Sequence, residues 1–157
     1  MLLGNLTDLK SHLQPGQRLL GLDVGQRTIG VAMSDTLLII ATPHSLLRRG
    51  RFAADAAVLA ALAAKEGVGG IVIGLPINMD GSEGPRCQSA RQFRVNLHRL
   101  LPLPMAMWDE RWSTQAVTRT LLAADASRKR RAELVDKLAA AYILQGALDR
   151  LSHRPGL

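Results

Sequence analysis

Apolar positions along this chain fall into short continuous runs separated by stretches in which they recur at helical spacing. Leu6 to Leu13 forms a short leading helix, stopped by Pro15-Gly16. Leu19 to Val24 reads as a strand, Gly25-Gln26-Arg27 as a turn, and Thr28 to Ser34 as a second strand. So short a connection predicts an antiparallel hairpin. A third strand is expected between Leu38 and Leu47, where Pro43 confines it to a sheet edge or splits it. From Phe52 to Glu66 the residues Phe52, Ala56, Leu59 and Ala63 share one helical face, and Gly67 supplies the stop. Gly70-Ile-Val-Ile-Gly74 is apolar throughout, as a parallel strand covered on both faces would be. A glycine-rich loop then leads to a helix from Gly84 to Leu101, ended by Pro102 and Pro104. Met105 to Asp109 is the last strand, Ser113 caps a helix reaching Ala124, and Ser127 precedes a final helix reaching Leu151.

The order is strand, strand, strand, helix, strand, helix, strand, helix, helix. An antiparallel meander followed by right-handed crossovers predicts an α/β fold: a five-stranded mixed sheet, meander plus parallel strands, flanked by helices. No repeat or low-complexity linker interrupts the pattern, so residues 1–157 are expected to form a single domain.

Charge narrows the function. Twenty Lys and Arg against thirteen Asp and Glu give +7, mostly from arginine, whose fork suits phosphate oxygens. A nucleic-acid partner fits that surplus, although an arginine-rich genome would produce it without one. Cys87 is alone, which excludes an intrachain disulfide and a cysteine zinc cluster. No run approaches the ~18 apolar residues of a membrane span, and the first residues lack a signal peptide's basic start and cleavage site. The cytoplasm is the expected compartment, with no membrane partner.

Three acids stand where acids are costly. Asp23 interrupts the run Arg18-Leu-Leu-Gly-Leu-Asp-Val-Gly25, Glu110 closes Met105-Ala-Met-Trp-Asp-Glu110, and Asp136 opens Val135-Asp-Lys-Leu-Ala-Ala-Ala-Tyr142. A buried polar group without a partner costs roughly 2–7 kcal/mol, and three converging carboxylates would repel unless a cation lay between them. Strand alternation puts Gly21, Asp23 and Gly25 on one face, with open space around the acid. Hydrogen bonding in the following turn is the plainer role for Asp23. Asp109 and Glu110 are consecutive, so within a strand only one of them can share that face. Arg111 would neutralise the other or contact phosphate, and a strand-end salt bridge explains this group equally well. Asp136 lies on a stripe with Ala139, Ala140, Ile143 and Ala147, small enough to bring the helix close to a sheet. A first-turn acid also favours the helix dipole, by about 0.3–1 kcal/mol.

The loop Gly74-Leu-Pro-Ile-Asn-Met-Asp-Gly-Ser-Glu-Gly-Pro85 is long for its place and ends at a helix N-terminus, which favours anions. Asp80 and Glu83 read as its hydrogen-bonding groups. Arg91, Arg94 and His98 make a helical stripe that either faces phosphate or is solvated. The runs Arg48-Arg49-Gly-Arg51 and Arg128-Lys129-Arg130-Arg131 are candidates for polyanion contact. The four histidines show no metal-ligand spacing.

Four blocks, in order, resemble the YqgF (RuvX) family of Holliday junction resolvase-like nucleases. They are Leu20-Gly-Leu-Asp-Val-Gly-Gln-Arg-Thr-Ile-Gly-Val-Ala-Met-Ser-Asp35, Gly74-Leu-Pro-Ile-Asn-Met-Asp-Gly-Ser-Glu-Gly84, Asp109-Glu-Arg-Trp-Ser-Thr114 and Asp136-Lys-Leu-Ala-Ala-Ala-Tyr-Ile-Leu-Gln145. The resemblance implies a ribonuclease H-like fold and a role in maturing the 5′ end of the pre-16S rRNA. It also implies that Asp23, Glu110 and Asp136 are the catalytic, metal-binding acids, holding Mg²⁺ or Mn²⁺. Many enzymes of that fold carry an acid just after the fourth strand. Here the strand ends in Gly74-Leu75-Pro76, which leaves that role to Glu110.

The expected activity is metal-dependent phosphodiester hydrolysis, with Arg27, Arg111, Arg128, Lys129, Arg130 and Arg131 holding the RNA backbone. RNA is the expected partner, in association with an assembling ribosomal subunit. Branched DNA is the alternative substrate, and a homodimer would suit it. Two rivals remain at this point: a non-catalytic RNA-binding or transcription factor on the same fold, and a sugar-kinase or actin-like ATPase, which would need two such lobes where this chain has room for one.

Overall fold

The computed structural model of the chain describes residues 6–112 and 128–152; the side chains of residues 112 and 128–137 are outside that description. The strands are β1 (Arg18–Val24), β2 (Thr28–Ser34), β3 (Ala41–Arg48), β4 (Val68–Leu75) and β5 (Met105–Asp109). The helices are α1 (Leu6–Ser11), α2 (Phe52–Glu66), α3 (Pro85–Leu100) and α4 (Arg128–Ser152). The helix expected from Ser113 to Ala124 lies outside the described residues.

The five strands form one sheet in the order β3-β2-β1-β4-β5. β1 pairs antiparallel with β2 and parallel with β4, so the hairpin and the crossovers meet on the central strand. β4 is buried along all of Val68–Leu75, as its unbroken apolar run predicts, and the strand is longer at both ends than that run alone indicates. Pro43 sits on an edge strand, as expected, and shifts its register without splitting it. β3 is an edge strand, and its pairing slips where Ser45 faces Val31 but Pro43 faces Ala32, leaving His44 without a place in the register.

Alternation along the strands makes two cores. Leu20, Leu22, Ile29 and Val31 pack with Leu59 of α2 and with Phe93 and Leu97 of α3 on one face. Leu19, Val72 and Ala106 pack with Leu9 of α1 and with Ala140, Ile143, Leu144 and Ala147 of α4 on the other. Each fully buried Leu or Ile contributes about 1.5–3 kcal/mol relative to exposure, so neither helical layer is dispensable. Helix ends follow local chemistry: Gly67 closes α2 at φ 67°, donating its N–H to the Ala63 carbonyl.

α4 lies unusually close to the sheet because of Gly21. A Cβ there would stand 2.7 Å from Leu144 Cβ and 3.0 Å from the Ala140 carbonyl oxygen. Nearer its C-terminus, Gln145 accepts a hydrogen bond from Ala41 N at 2.8 Å and donates to the Ile39 carbonyl at 2.9 Å. Ala41 pairs with Ser34, whose hydroxyl accepts from Leu19 N, so Gln145 sits level with the start of β1. α4 therefore runs antiparallel to β1, its lower numbers pointing toward Asp23. Among the described residues, no helix is long and apolar enough to cross a membrane.

Candidate active site

Asp23 reaches the α4 face of the sheet through the alternation that buries Leu20 and Leu22 opposite. The following turn holds the strand end in place: Gly25 N donates to the Thr28 carbonyl at 2.8 Å, and Arg49 Nη1 donates to the Gly25 carbonyl at 2.8 Å. Arg49 also lies over the Phe93 ring, 5.5 Å from its centre. The expected polyanion run is thus divided, with Arg48 and Arg51 exposed and Arg49 occupied inside the fold.

Glu110 is not in a strand. It begins a single 3₁₀ turn, Glu110–Trp112, directly after β5. That turn frees its side chain from strand alternation and lets it cross above the end of β4 toward Asp23. Gly74 makes the crossing feasible: a Cβ there would overlap the Glu110 carboxylate and stand 2.6 Å from Ile143 Cδ1. An acid on β1 and an acid just past the end of β5, strands that are not neighbours, therefore meet above the strand between them. The position without an acid, at the end of β4, is the one the Glu110 carboxylate fills.

The two carboxyl groups are hydrogen-bonded, which requires a proton on one of them. Burial pushes the Glu110 carboxyl up, and the Asp23 charge and hydrogen bond add to it, to about 8; the Arg86 charge pulls the other way. Asp109 takes the opposite course. Burial would raise it, but Arg111 donates from its backbone N and guanidinium, with Nη2 at 2.7 Å, and holds the carboxyl below its usual range. Of the two consecutive acids, then, Glu110 joins Asp23 and Asp109 is neutralised by Arg111.

The remaining candidates are placed as follows. Arg27 is exposed in the β1–β2 turn. Arg128, Lys129, Arg130 and Arg131 form the first turn of α4, and Asp136 lies one turn before Ala140 on the same helix; their side chains lie outside the described residues. Asp80 accepts from Ser82 N and Oγ, and Glu83 pairs bidentately with Arg91 at 2.8 and 2.9 Å. His98 Nδ1 lies 3.1 Å from the Leu103 carbonyl, so the Arg91–His98 stripe is engaged within the protein at both ends. Cys87 is fully buried, its thiol donating to the Pro76 carbonyl, and burial pushes it up.

Arg86 was not singled out by pattern. It occupies the first turn of α3 and, with Asn78, Met79 and Arg111, lines a cleft of about 380 Å³ that opens beside Glu110. The available signal was a lone cation just after Gly84-Pro85, where a loop rich in turn residues hands over to a helix.

Two half-buried carboxylates held against each other supply hard oxygen donors with more negative charge than the site can keep without a counter-charge, and that fits a divalent cation. Among the described residues there is no group of three or more His, Cys, Asp or Glu able to hold a metal.

Comparison with known proteins agrees with this architecture. The family model RuvX, described as Holliday junction resolvase, matches residues 17–150. A protein of Paramagnetospirillum magneticum named "Putative pre-16S rRNA nuclease" is 62% identical over 145 residues, 92% of this chain and 94% of its own length. A protein of Rhodobacter capsulatus with the same name is 56% identical over 153 residues, 98% of this chain and 96% of its own. Among solved structures, RuvC of T. thermophilus in complex with a Holliday junction superposes with a TM-score of 0.53 at 12% identity, covering 87% of this chain and 96% of that one. That likeness establishes the ribonuclease H-like fold.

Proposed function

The chain belongs to the RuvX family, and on that premise we propose that it is a metal-dependent nuclease that hydrolyses phosphodiester bonds at the 5′ end of pre-16S rRNA. One observation carries the reading: Asp23 and Glu110 converge from β1 and the end of β5, and burial together with the Asp23 charge pushes the Glu110 carboxyl up to about 8. A like-charged, partly buried pair is unfavourable for folding and is retained where it has chemical work.

Asp23, Glu110 and Asp136 would hold the ion. Asp136 is supported by helix geometry: Ala140 lies against Gly21, and one turn further along α4 advances about 6 Å. β1 advances about 6.6 Å from Gly21 to Asp23, so position 136 reaches the level of the acid pair. A divalent ion bound there would supply Lewis acidity for the scissile phosphate and its attacking water. The protein's own part is to hold the carboxylates at fixed separation, to give up the proton they share when a cation enters, and to keep the β1–β2 turn rigid through Arg49. Arg27 and the Arg128–Arg131 run would bind backbone phosphates, setting affinity and salt sensitivity rather than sequence. The enzyme is proposed to act as a single cytoplasmic domain on the assembling small subunit.

The test is cleavage of a 5′-extended 16S precursor by pure protein and by Asp23→Asn, with Mg²⁺, Mn²⁺ or chelator. Cleavage that needs the metal and disappears in the variant while RNA binding persists is the expected result. Cleavage retained by pure Asp23→Asn would refute it. The family's description favours one second reading, cleavage of branched DNA, and a four-way junction in the same assay decides between the substrates.

A further inference from the structure

The cleft beside Glu110 is lined by two unlike sets of side chains. Ile77 and Met79 are apolar, Ile77 packing in part against Leu75, Cys87 and Ala90, and Met79 is 75% exposed at the tip of its loop. Arg86 and Arg111 are cationic. The loop is held by its own bonds: Asn78 N donates to the Ser82 carbonyl at 2.9 Å, Gly81 N donates to the Asn78 carbonyl at 2.9 Å, and Cys87 anchors Pro76 from below. An exposed methionine on a loop so tethered is presented rather than merely loose.

The cations differ in what they have left to give. Arg111 is committed to Asp109, and on the outer face of α3 Arg91 is committed to Glu83. Arg86 is exposed and makes no hydrogen bond or ion pair among the described residues, while its charge is felt at Glu110. A guanidinium with its fork unused, lining a cleft that Glu110 also lines, matches a phosphodiester oxygen. An apolar wall in the same cleft matches the face of a base.

The geometry points to a subsite for one unpaired nucleotide, its base laid against Ile77 and Met79 and its phosphate held by Arg86, next to the bond presented to Asp23 and Glu110. A base stacked inside a duplex has no free face for that wall, so the subsite selects single-stranded substrate. The inference deepens the nuclease reading and rests on it for the position of the scissile bond; nucleotide binding itself does not require cleavage.

Fluorescence anisotropy in chelator, over a salt series, tests it with a short labelled RNA as a single strand and as a duplex. Wild type, Arg86→Ala, Arg86→Lys and Met79→Ser are compared, with circular dichroism to establish folding. Arg86→Ala should weaken single-strand binding roughly five- to tenfold and lower the slope of log K against log salt by about 0.7, the contribution of one phosphate contact. Arg86→Lys should keep that slope. Met79→Ser should weaken the single strand several-fold, leaving its slope and duplex binding unchanged. An unaltered slope in Arg86→Ala, equal losses for both RNAs in Met79→Ser, or no preference of wild type for the single strand would each overturn the subsite. Metal-dependent cleavage by wild type alongside any of these would leave the nuclease standing without it. Absence of cleavage alongside the expected binding pattern would do the reverse.

Discussion

The two ends of β1 make opposite electrostatic arrangements out of the same strand. At its start, Arg18 pairs with Glu66 at 3.0 Å, Leu19 N donates to the Ser34 hydroxyl at 2.8 Å, and Asp35 accepts from Ile39 N at 2.7 Å and Ile40 N at 3.0 Å. At its end, Asp23 meets another carboxylate. The start also borders the larger cleft, about 450 Å³ against about 380 Å³, so size does not tell the two apart. What does is satisfaction. Glu66 and Asp35 at the start have donors that suit a charged carboxylate, whereas at the end burial and the Asp23 charge push the Glu110 carboxyl up to about 8. Opposed charge, rather than hollow space, is what sets the proposed site apart from the rest of the fold.

Removing the conflict should break function most and stability least. Glu110→Gln takes away one of the opposed charges while keeping the shape and a hydrogen bond to Asp23. Cleavage of the precursor should fall by roughly 10²–10³-fold or more, the scale on which a single stabilising group at a reacting centre is felt. The same variant should unfold about 2–4 °C higher at pH 8 in chelator, a shift that corresponds to about 1 kcal/mol in a domain of this size. Lower activity together with a lower melting temperature would mean that Glu110 is a structural acid.

Gly74→Ala attacks the geometry instead of the charge. Its Cβ would overlap the Glu110 carboxylate and press on Ile143 of α4, so the acid must swing away from Asp23. Activity should drop roughly 10–100-fold, as for loss of a group that orients a ligand, with about 1–3 kcal/mol of destabilisation from overpacking. Denaturant midpoints and cleavage rates measured on the same sample would separate the two effects.

How much of this the chain announces depends on whether a feature is local. β1, β2, α2 and β5 follow from alternation, helical spacing and Gly67, and the edge position of β3 follows from a single proline. Asp23 was legible as a candidate because glycines flank it within an apolar strand. The grouping of Asp23 with Glu110 came from the family resemblance rather than from spacing, because their geometry depends on β4 lying between β1 and β5 and on a 3₁₀ turn that ends the alternation one residue early. Arg86 was illegible for a related reason: its meaning lies in which neighbouring cations already hold acids, a property of contacts rather than of spacing. The Asp109–Arg111 pair is two residues apart and was readable as a strand-end salt bridge.

Acidity distinguishes the ends by sign. The Glu110 carboxyl rises from 4.5 in the open chain to about 8 in the fold, so the folded protein binds the extra proton. Its contribution to metal-free stability is therefore largest below about pH 4.5 and is lost as pH climbs through 8. Asp35 behaves conversely: hydrogen bonds from Ile40 and Ile39 hold it below its usual 3.8, so its contribution is present above that value and lost as pH falls below it. Melting temperature in chelator should decline from mildly acidic toward alkaline pH, and Glu110→Gln should flatten that decline. Mg²⁺ or Mn²⁺ should flatten it as well if the ion replaces the shared proton, and should release protons as it binds. A decline that persists unchanged in Glu110→Gln would assign the pH dependence to other groups.

The smallest effect belongs to the satisfied end, and its smallness is what the comparison requires. Arg18 and Glu66 keep about 33% and 28% of their side-chain surface in solvent, so water screens much of their attraction. Arg18→Met keeps an apolar stem while removing the guanidinium that contacts Met33 Sδ and Glu66, and leaves Glu66 enough solvent to remain charged. Unfolding free energy should change by no more than about 1 kcal/mol, the range of such exposed pairs, and the change should shrink further in high salt. Cleavage should stay within about twofold of wild type, because a factor of two is only about 0.4 kcal/mol in the barrier. A large loss of activity in Arg18→Met, with folding intact, would show that the cleft at the start of β1 also takes part in the reaction, and would remove the contrast between the two ends.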